Sequence, residues 1–320
     1  MPELRTVGQL TEAELIARLK GGQSESSQLV RQGIGDDAAV LSLGAGSLVS
    51  VDSSVQGRHF DASCMTWTDI GWRALAAALS DIAAMGGGAL AHLLAISMPA
   101  SLLESDFDAL VAGLAEAAAA SGSALVGGNL AQADQVTITA TVIGQANQPV
   151  ARHGGQAGDR LVVSGQIGLA AWGRELILAG RSAPERASRA FLRPQPAWAA
   201  AALLADGGAS AMIDVTDGLA LDLSRLLHPA AAGADLVPEA LPLAESGDQA
   251  ADVQRALYGG DDYCLLAALP ERVWPRLAAA FRAAGLDCFP IGRLSAESGL
   301  RLGGQVLSAT GYDHFGGGGG

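Results

Sequence analysis

From Val136 to Val142 the chain reads Val, Thr, Ile, Thr, Ala, Thr, Val. Such alternation sends successive side chains to opposite faces of an extended strand, so one face is apolar and buried and the other is rich in threonine. That outer face points to pairing in a sheet or barrel. Helical periods lie beside it: Met65 to Met85 carries Leu75, Leu79 and Ile82 on one side and is closed by Gly86 to Gly88. A second helix is expected from Ser105, with Asp108 three residues on, Leu110, Val111 and Leu114 on its apolar stripe, and Gly122 at its end. Both periods in one chain specify an α/β or α+β fold.

Other strands are expected at Ala38 to Leu43, Leu48 to Asp52 and Leu93 to Met98, with a buried strand at Ala124 to Val126 running into Gly127-Gly128. Thr11 to Lys20 reads as a short capped helix. The stretch from Gln145 to Gly158 has no apolar period, which puts a boundary at about residue 148. Residues 1–148 and 149–315 are then two domains, and the glycines of 316–320 stand outside the fold argument. The second domain reads as strand (Leu161 to Ser164), helices (Gly168 to Ala179, Ala197 to Ala205), strand (Ala211 to Val215) and helix (Leu219 to Leu227). Then follow a strand (Tyr263 to Leu269), a helix (Pro275 to Ala284) and a strand pair between Ile291 and Leu307.

A formal net charge of −13 leaves no general basic field for nucleic acid or an anionic membrane. The one lysine, Lys20, does not follow a glycine loop, which closes the P-loop route to phosphate binding. Three separated cysteines without a CxxC pair argue against a disulfide framework or structural zinc and fit a reducing cytoplasm. No secretion signal or membrane span is expected.

Acidic residues recur beside glycine at the ends of apolar elements. They fall at Asp36 and Asp37, Asp52, Asp81, Asp214 and Asp217, and Asp261 and Asp262. Asp36 and Asp37 also suit a turn, and Asp217 also suits a helix cap. Asp81 is harder to explain, because it sits in the last turn of its expected helix, at the negative end of the dipole. Asp52 and Asp214 end apolar strands, where a carboxylate near the core calls for a partner. Oxygen donors in that number suit Mg²⁺, and with no lysine loop they imply a nucleotide-phosphate site. Arg152 is a candidate for its arginine, or a solvated loop charge.

The strings GIGDDAAVL (33 to 41), VDSSVQGRHF (51 to 60), SDIAAMGG (80 to 87), ARHGGQAGDRLVVSGQIG (151 to 168), MIDVTDGLALDL (212 to 223), YGGDDYCLL (258 to 266) and GYDHF (311 to 315) resemble the thiamine-monophosphate kinase family, in matching order. The resemblance implies a two-domain fold shared with aminoimidazole ribonucleotide synthetase, and a homodimer whose N-terminal domains form a common β-barrel. It implies ATP-dependent phosphorylation of thiamine phosphate. Metal ligands would fall on Asp36, Ser50, Asp52, Asp81, Asp214 and Asp217, with Asp52 and Asp217 at the centre of catalysis. ATP would contact Gly128, Asn129, Arg152 and Thr216. Thiamine phosphate would contact His59, Asp261, Asp262 and an aromatic of GYDHF, Tyr312 or Phe315. Two departures stand out: Asn129 replaces the family's usual aspartate after Gly-Gly, and Asp261 replaces its glutamate. The first leaves open a protein that binds nucleotide or thiamine phosphate with little turnover.

Overall fold

The structure is a computed structural model that describes residues 30–32, 39–41 and 46–312. The expected helix at Thr11 to Lys20, together with Asp36 and Phe315, lies outside the described residues.

Strands β1 (Val30–Gln32), β2 (Ala39–Leu41), β3 (Ser47–Val55), β4 (Gly88–Met98), β5 (Ala124–Gln132) and β6 (Thr137–Gln145) form one sheet in the order β1-β2-β3-β6-β4-β5. Only β4 and β5 pair in parallel. In β6 the alternation seen in the sequence becomes burial of Ile138, Ala140 and Val142 under helix α1 (Trp67–Ala84). Helix α2 (Glu104–Ser121) packs on α1 and ends at Gly122 in the left-handed conformation. The two helices approach closely because a Cβ on Gly113 would stand 1.9 Å from the Thr68 carbonyl oxygen.

The α2 start differs from expectation. Its N-cap is Leu103, with no side-chain cap bond, so Ser105 and Asp108 do not form a capping box. A side-chain cap lies instead at α1, where the Thr66 hydroxyl accepts from the Asp69 N–H at 3.1 Å and donates to the Asp69 carboxylate at 2.7 Å.

A larger correction concerns β5, which is exposed along its whole length. Leu125, Val126 and Leu130 are apolar enough for a core strand, but β5 is the edge of the sheet and only β4 pairs with it. The face opposite α1 carries Val51, Thr139, Thr141 and Leu93 in register, and no helix of the described residues lies on it. The sheet is open in the single chain.

The second sheet has the order β13-β12-β9-β11-β7-β10-β8, from β7 (Arg160–Val163), β8 (Ala211–Asp214), β9 (Gly233–Leu236), β10 (Leu265–Leu269), β11 (Phe289–Ser295), β12 (Gly299–Leu302) and β13 (Gln305–Leu307). It is antiparallel except for β9 and β12. Around it run α3 (Leu169–Leu178), α4 (Glu185–Leu192), α5 (Trp198–Gly207), α6 (Leu219–Leu226), α7 (Gln249–Tyr258) and α8 (Trp274–Ala283). One face of β7, β8 and β10 packs with Leu204, Leu277 and Phe281 from α5 and α8. The other packs with Leu219, Leu223, Ala256 and Leu257 from α6 and α7. Helix α1 serves both sheets, because Leu75, Leu79 and Ile82 face the first while Ala83 and Ala84 join the core of the second.

Candidate functional site

The shared helix places the site. A pocket of ≈ 430 Å³ lies where α1, the end of β3 with its following loop, the loop after β8 and the Gly259–Tyr263 segment meet. Arg73, Ala77 and Asp81 of α1 all line it, as spacings of four residues on a 3.6-residue helix require. Asp52, His59, Thr216, Asp217, Asp261 and Tyr312 also reach its wall.

Each carboxylate has a holder. Asp81 accepts from the Ser50 hydroxyl at 2.5 Å. Asp52 accepts from the Ser53 N–H at 2.7 Å. Asp217 pairs with Arg225 at 2.5 Å. Asp214, at the end of β8, is buried and accepts from the Ser80 hydroxyl next door to Asp81, so it stands behind the pocket wall. His59 accepts the Val55 N–H on Nδ1 at 3.0 Å, which leaves the proton of a neutral ring on Nε2.

The acidic pair divides. Asp261 faces the pocket, whereas the Asp262 carboxylate accepts from the Gly168 and Ala170 N–H groups at 2.7 and 3.3 Å and caps the start of α3. Burial pushes the Asp262 carboxyl up to about 7 against the pull of those two amides. The structure thus places the Asp262 carboxylate at the start of α3, and only Asp261 of the expected pair lines the pocket. A positive φ separates the two side chains: Gly260, Asp261 and Tyr263 all have left-handed φ, and a Cβ on Gly260 would stand 2.3 Å from the Thr216 carbonyl oxygen.

The residues expected at ATP are also divided. Thr216 lines the acidic pocket. Gly128 and Asn129 line a separate apolar groove of ≈ 490 Å³ between β4, β5 and α2, with Leu94, Phe107, Leu125 and Leu130. Register puts Gly128 on the same sheet face as Asp52, through Leu94 and Ala140, and Asn129 with Ala95 and Thr139 on the other. The structure does not bring Asn129 into the acidic cluster. Arg152 is half-buried just ahead of the second sheet and lines neither pocket.

Several groups at the site escaped the sequence reading. Asp222 of α6 is fully buried, and one of its oxygens accepts the Thr216 and Asp217 N–H groups, both at 2.9 Å, so it shapes the loop that presents Asp217. Burial first, then the nearby Asp217 charge, raise its carboxyl to about 7. Its signal was available as an acid in the first turn of a helix. Arg58, Arg73 and Arg174 line the pocket too. The burial of Arg73 works against its charge, but Asp261, Tyr263 and Asp52 more than offset this and keep it a cation.

Among the described residues no three His, Cys, Asp or Glu side chains converge as a metal cage. Five carboxylates line the pocket, Asp52, Asp61, Asp81, Asp217 and Asp261, and those of Asp52, Asp81 and Asp217, with the Ser50 hydroxyl behind Asp81, are hard oxygen donors. That set fits Mg²⁺, which keeps several waters and takes one or two carboxylates together with substrate phosphates.

Residues 35–146 match the family described as AIR synthase related protein, N-terminal domain, and residues 156–305 match its C-terminal domain. The chain is 36% identical over 275 residues to a thiamine-monophosphate kinase of Mycobacterium tuberculosis, covering 83% of this chain and 82% of the relative. It is 30% identical over 303 residues to that of Bacillus subtilis, covering 88% and 93%. The solved structure named "AaThiL complexed with AMPPCP and TMP" superposes with a TM-score of 0.86 at 26% identity, covering 98% of this chain and all of that one. The two family matches span both sheets, and the chain belongs to the thiamine-monophosphate kinase family.

Proposed function

We propose that the chain transfers the terminal phosphoryl group of ATP to thiamine phosphate, forming thiamine diphosphate, in the pocket between the sheets and with Mg²⁺. One observation carries this reading: Asp52, Asp81 and Asp217 share a pocket with His59, Asp261 and Tyr312. Hard-cation donors thus stand beside groups suited to a cationic, nitrogen-rich aromatic substrate. The relative solved with AMPPCP and TMP supports it.

Asp52, Asp81 and Asp217, with Ser50, would hold Mg²⁺, which when bound neutralises phosphate charge that would keep two anions apart. Thiamine phosphate brings an ionised phosphate oxygen as nucleophile, so the protein need not supply a general base. Its residues position. His59 offers an Nε2–H to an anionic oxygen, Asp261 accepts from an amino group, and the half-exposed Tyr312 ring offers an apolar face.

A second copy of the chain is the proposed cover for the open face and edge of the first sheet, where Val51 is 61% exposed and Val126 59%. No helix among the described residues is long and apolar enough to cross a membrane.

The test is an assay with ATP and thiamine phosphate, the product identified by mass. Thiamine diphosphate is expected in Mg²⁺ and none in EDTA. ATP binding without turnover at any Mg²⁺ concentration would replace this reading with that of a binding protein.

A further inference from the structure

We infer that Arg73 is the positioning residue for Asp261: it clamps the strained Gly259–Tyr263 segment to helix α1 and thereby aims the Asp261 carboxylate at the substrate. This rests on the proposed function only for the identity of that substrate.

The guanidinium is used on every side. One nitrogen meets an Asp261 oxygen at 2.5 Å and another donates to the Phe191 carbonyl oxygen at 2.6 Å. The Phe191 and Tyr263 rings lie 5.0 and 5.8 Å from its central carbon. A planar fork can serve two acceptors and two rings at once, whereas a lysine ammonium is a single point charge on a flexible stem. The group it holds needs holding. Asp261 and Tyr263 sit at φ +66° and +50°, a conformation that L-residues keep only when neighbours impose it. Their N–H groups donate to the Thr216 and Val215 carbonyls at 2.8 and 2.9 Å, next to Asp217. Asp262 anchors the segment to α3 from the other side. Arg73 is also two helical turns from Asp81 along the pocket wall, so one rigid helix sets the position of the acidic cluster relative to Asp261.

Two measurements on Arg73→Gln and Arg73→Lys test this. The first is amide hydrogen exchange without any ligand. Exchange over residues 261–263 should rise about tenfold or more in Arg73→Gln, with β10 unchanged. The second is steady-state kinetics in the wild-type and Asp261→Asn backgrounds. Arg73→Gln should raise KM for thiamine phosphate about tenfold or more, with kcat and the KM for ATP changed far less, and Arg73→Lys should recover part of the loss. In the Asp261→Asn background the Arg73 effect on KM should largely vanish. Unchanged exchange over 261–263 overturns the clamp, as does a KM effect that persists in full without the Asp261 carboxylate. If Arg73→Gln does not fold, Arg73→Lys carries both arms. Should the wild type fail to use thiamine phosphate, the proposed function falls while the exchange result still decides the clamp.

Discussion

Strands β10 and β5 are both apolar, yet β10 is buried at every residue and β5 exposed at every residue. The first runs through the second sheet between β7 and β8 with helices on both faces, and the other is the uncapped edge of the first sheet. The second sheet completes its core within one chain, whereas the first leaves an edge and a face exposed among the described residues. The pocket lies between them and draws side chains from both.

The largest expected effect tests that shared ownership. Asp81→Asn, from the side of the first sheet, and Asp217→Asn, from the loop after β8, should each lower kcat by about a thousandfold, near 4 kcal/mol, if both serve one phosphoryl-transfer site. Turnover that survives either change would assign the chemistry to one sheet alone.

Next, removing side-chain volume from the self-contained sheet should be costly. Leu266→Ala in β10 is expected to destabilise the fold by about 2–5 kcal/mol, measured by denaturant unfolding. A loss below about 1 kcal/mol would mean that the sheet tolerates a cavity better than its two-sided burial implies.

The pH dependence is smaller. With the Asp262 carboxyl raised from 3.8 to about 7 in the fold, its contribution is fully present below about pH 4 and lost as pH rises through 7. Thermal unfolding should therefore show stability falling between pH 5 and 8 by about 1–3 kcal/mol, and Asp262→Asn should flatten that slope. An equal slope in the variant would show that other groups set it.

The smallest effect sharpens the contrast. Val126→Thr on the exposed edge should change the stability of the dilute single chain by no more than about 0.5 kcal/mol. If a second copy covers that edge, the penalty should grow with protein concentration, as sedimentation and unfolding measured together would show.

Much of the fold was legible where the pattern is local. The Leu75, Leu79, Ile82 stripe located α1, and the threonine alternation located β6. Helices α4 and α7 and strands β1 and β9 were missed. ERASRAFL and QAADVQRALY carry few large apolar residues, and GADL is only four residues long, too short for a period. For α7 a signal existed, since Asp248 caps it by accepting the Ala251 N–H at 3.1 Å. At the site, acids at the ends of apolar elements marked Asp52, Asp81 and Asp217. Their neighbours Asp261 and Asp262 could not be told apart, because only backbone dihedrals send adjacent side chains to different surroundings.

The sequence by itself determined which segments could be helix or strand and that hard oxygen donors cluster at their ends, because propensity, periodicity and capping act over a few residues. The tertiary structure alone decided that Arg73 meets the Phe191 carbonyl 118 positions later and that Ser80 meets Asp214 across 134. It also decided that β5 is an edge rather than a core strand. These depend on which elements pack together once the chain has closed its long loops, and no local pattern records that choice.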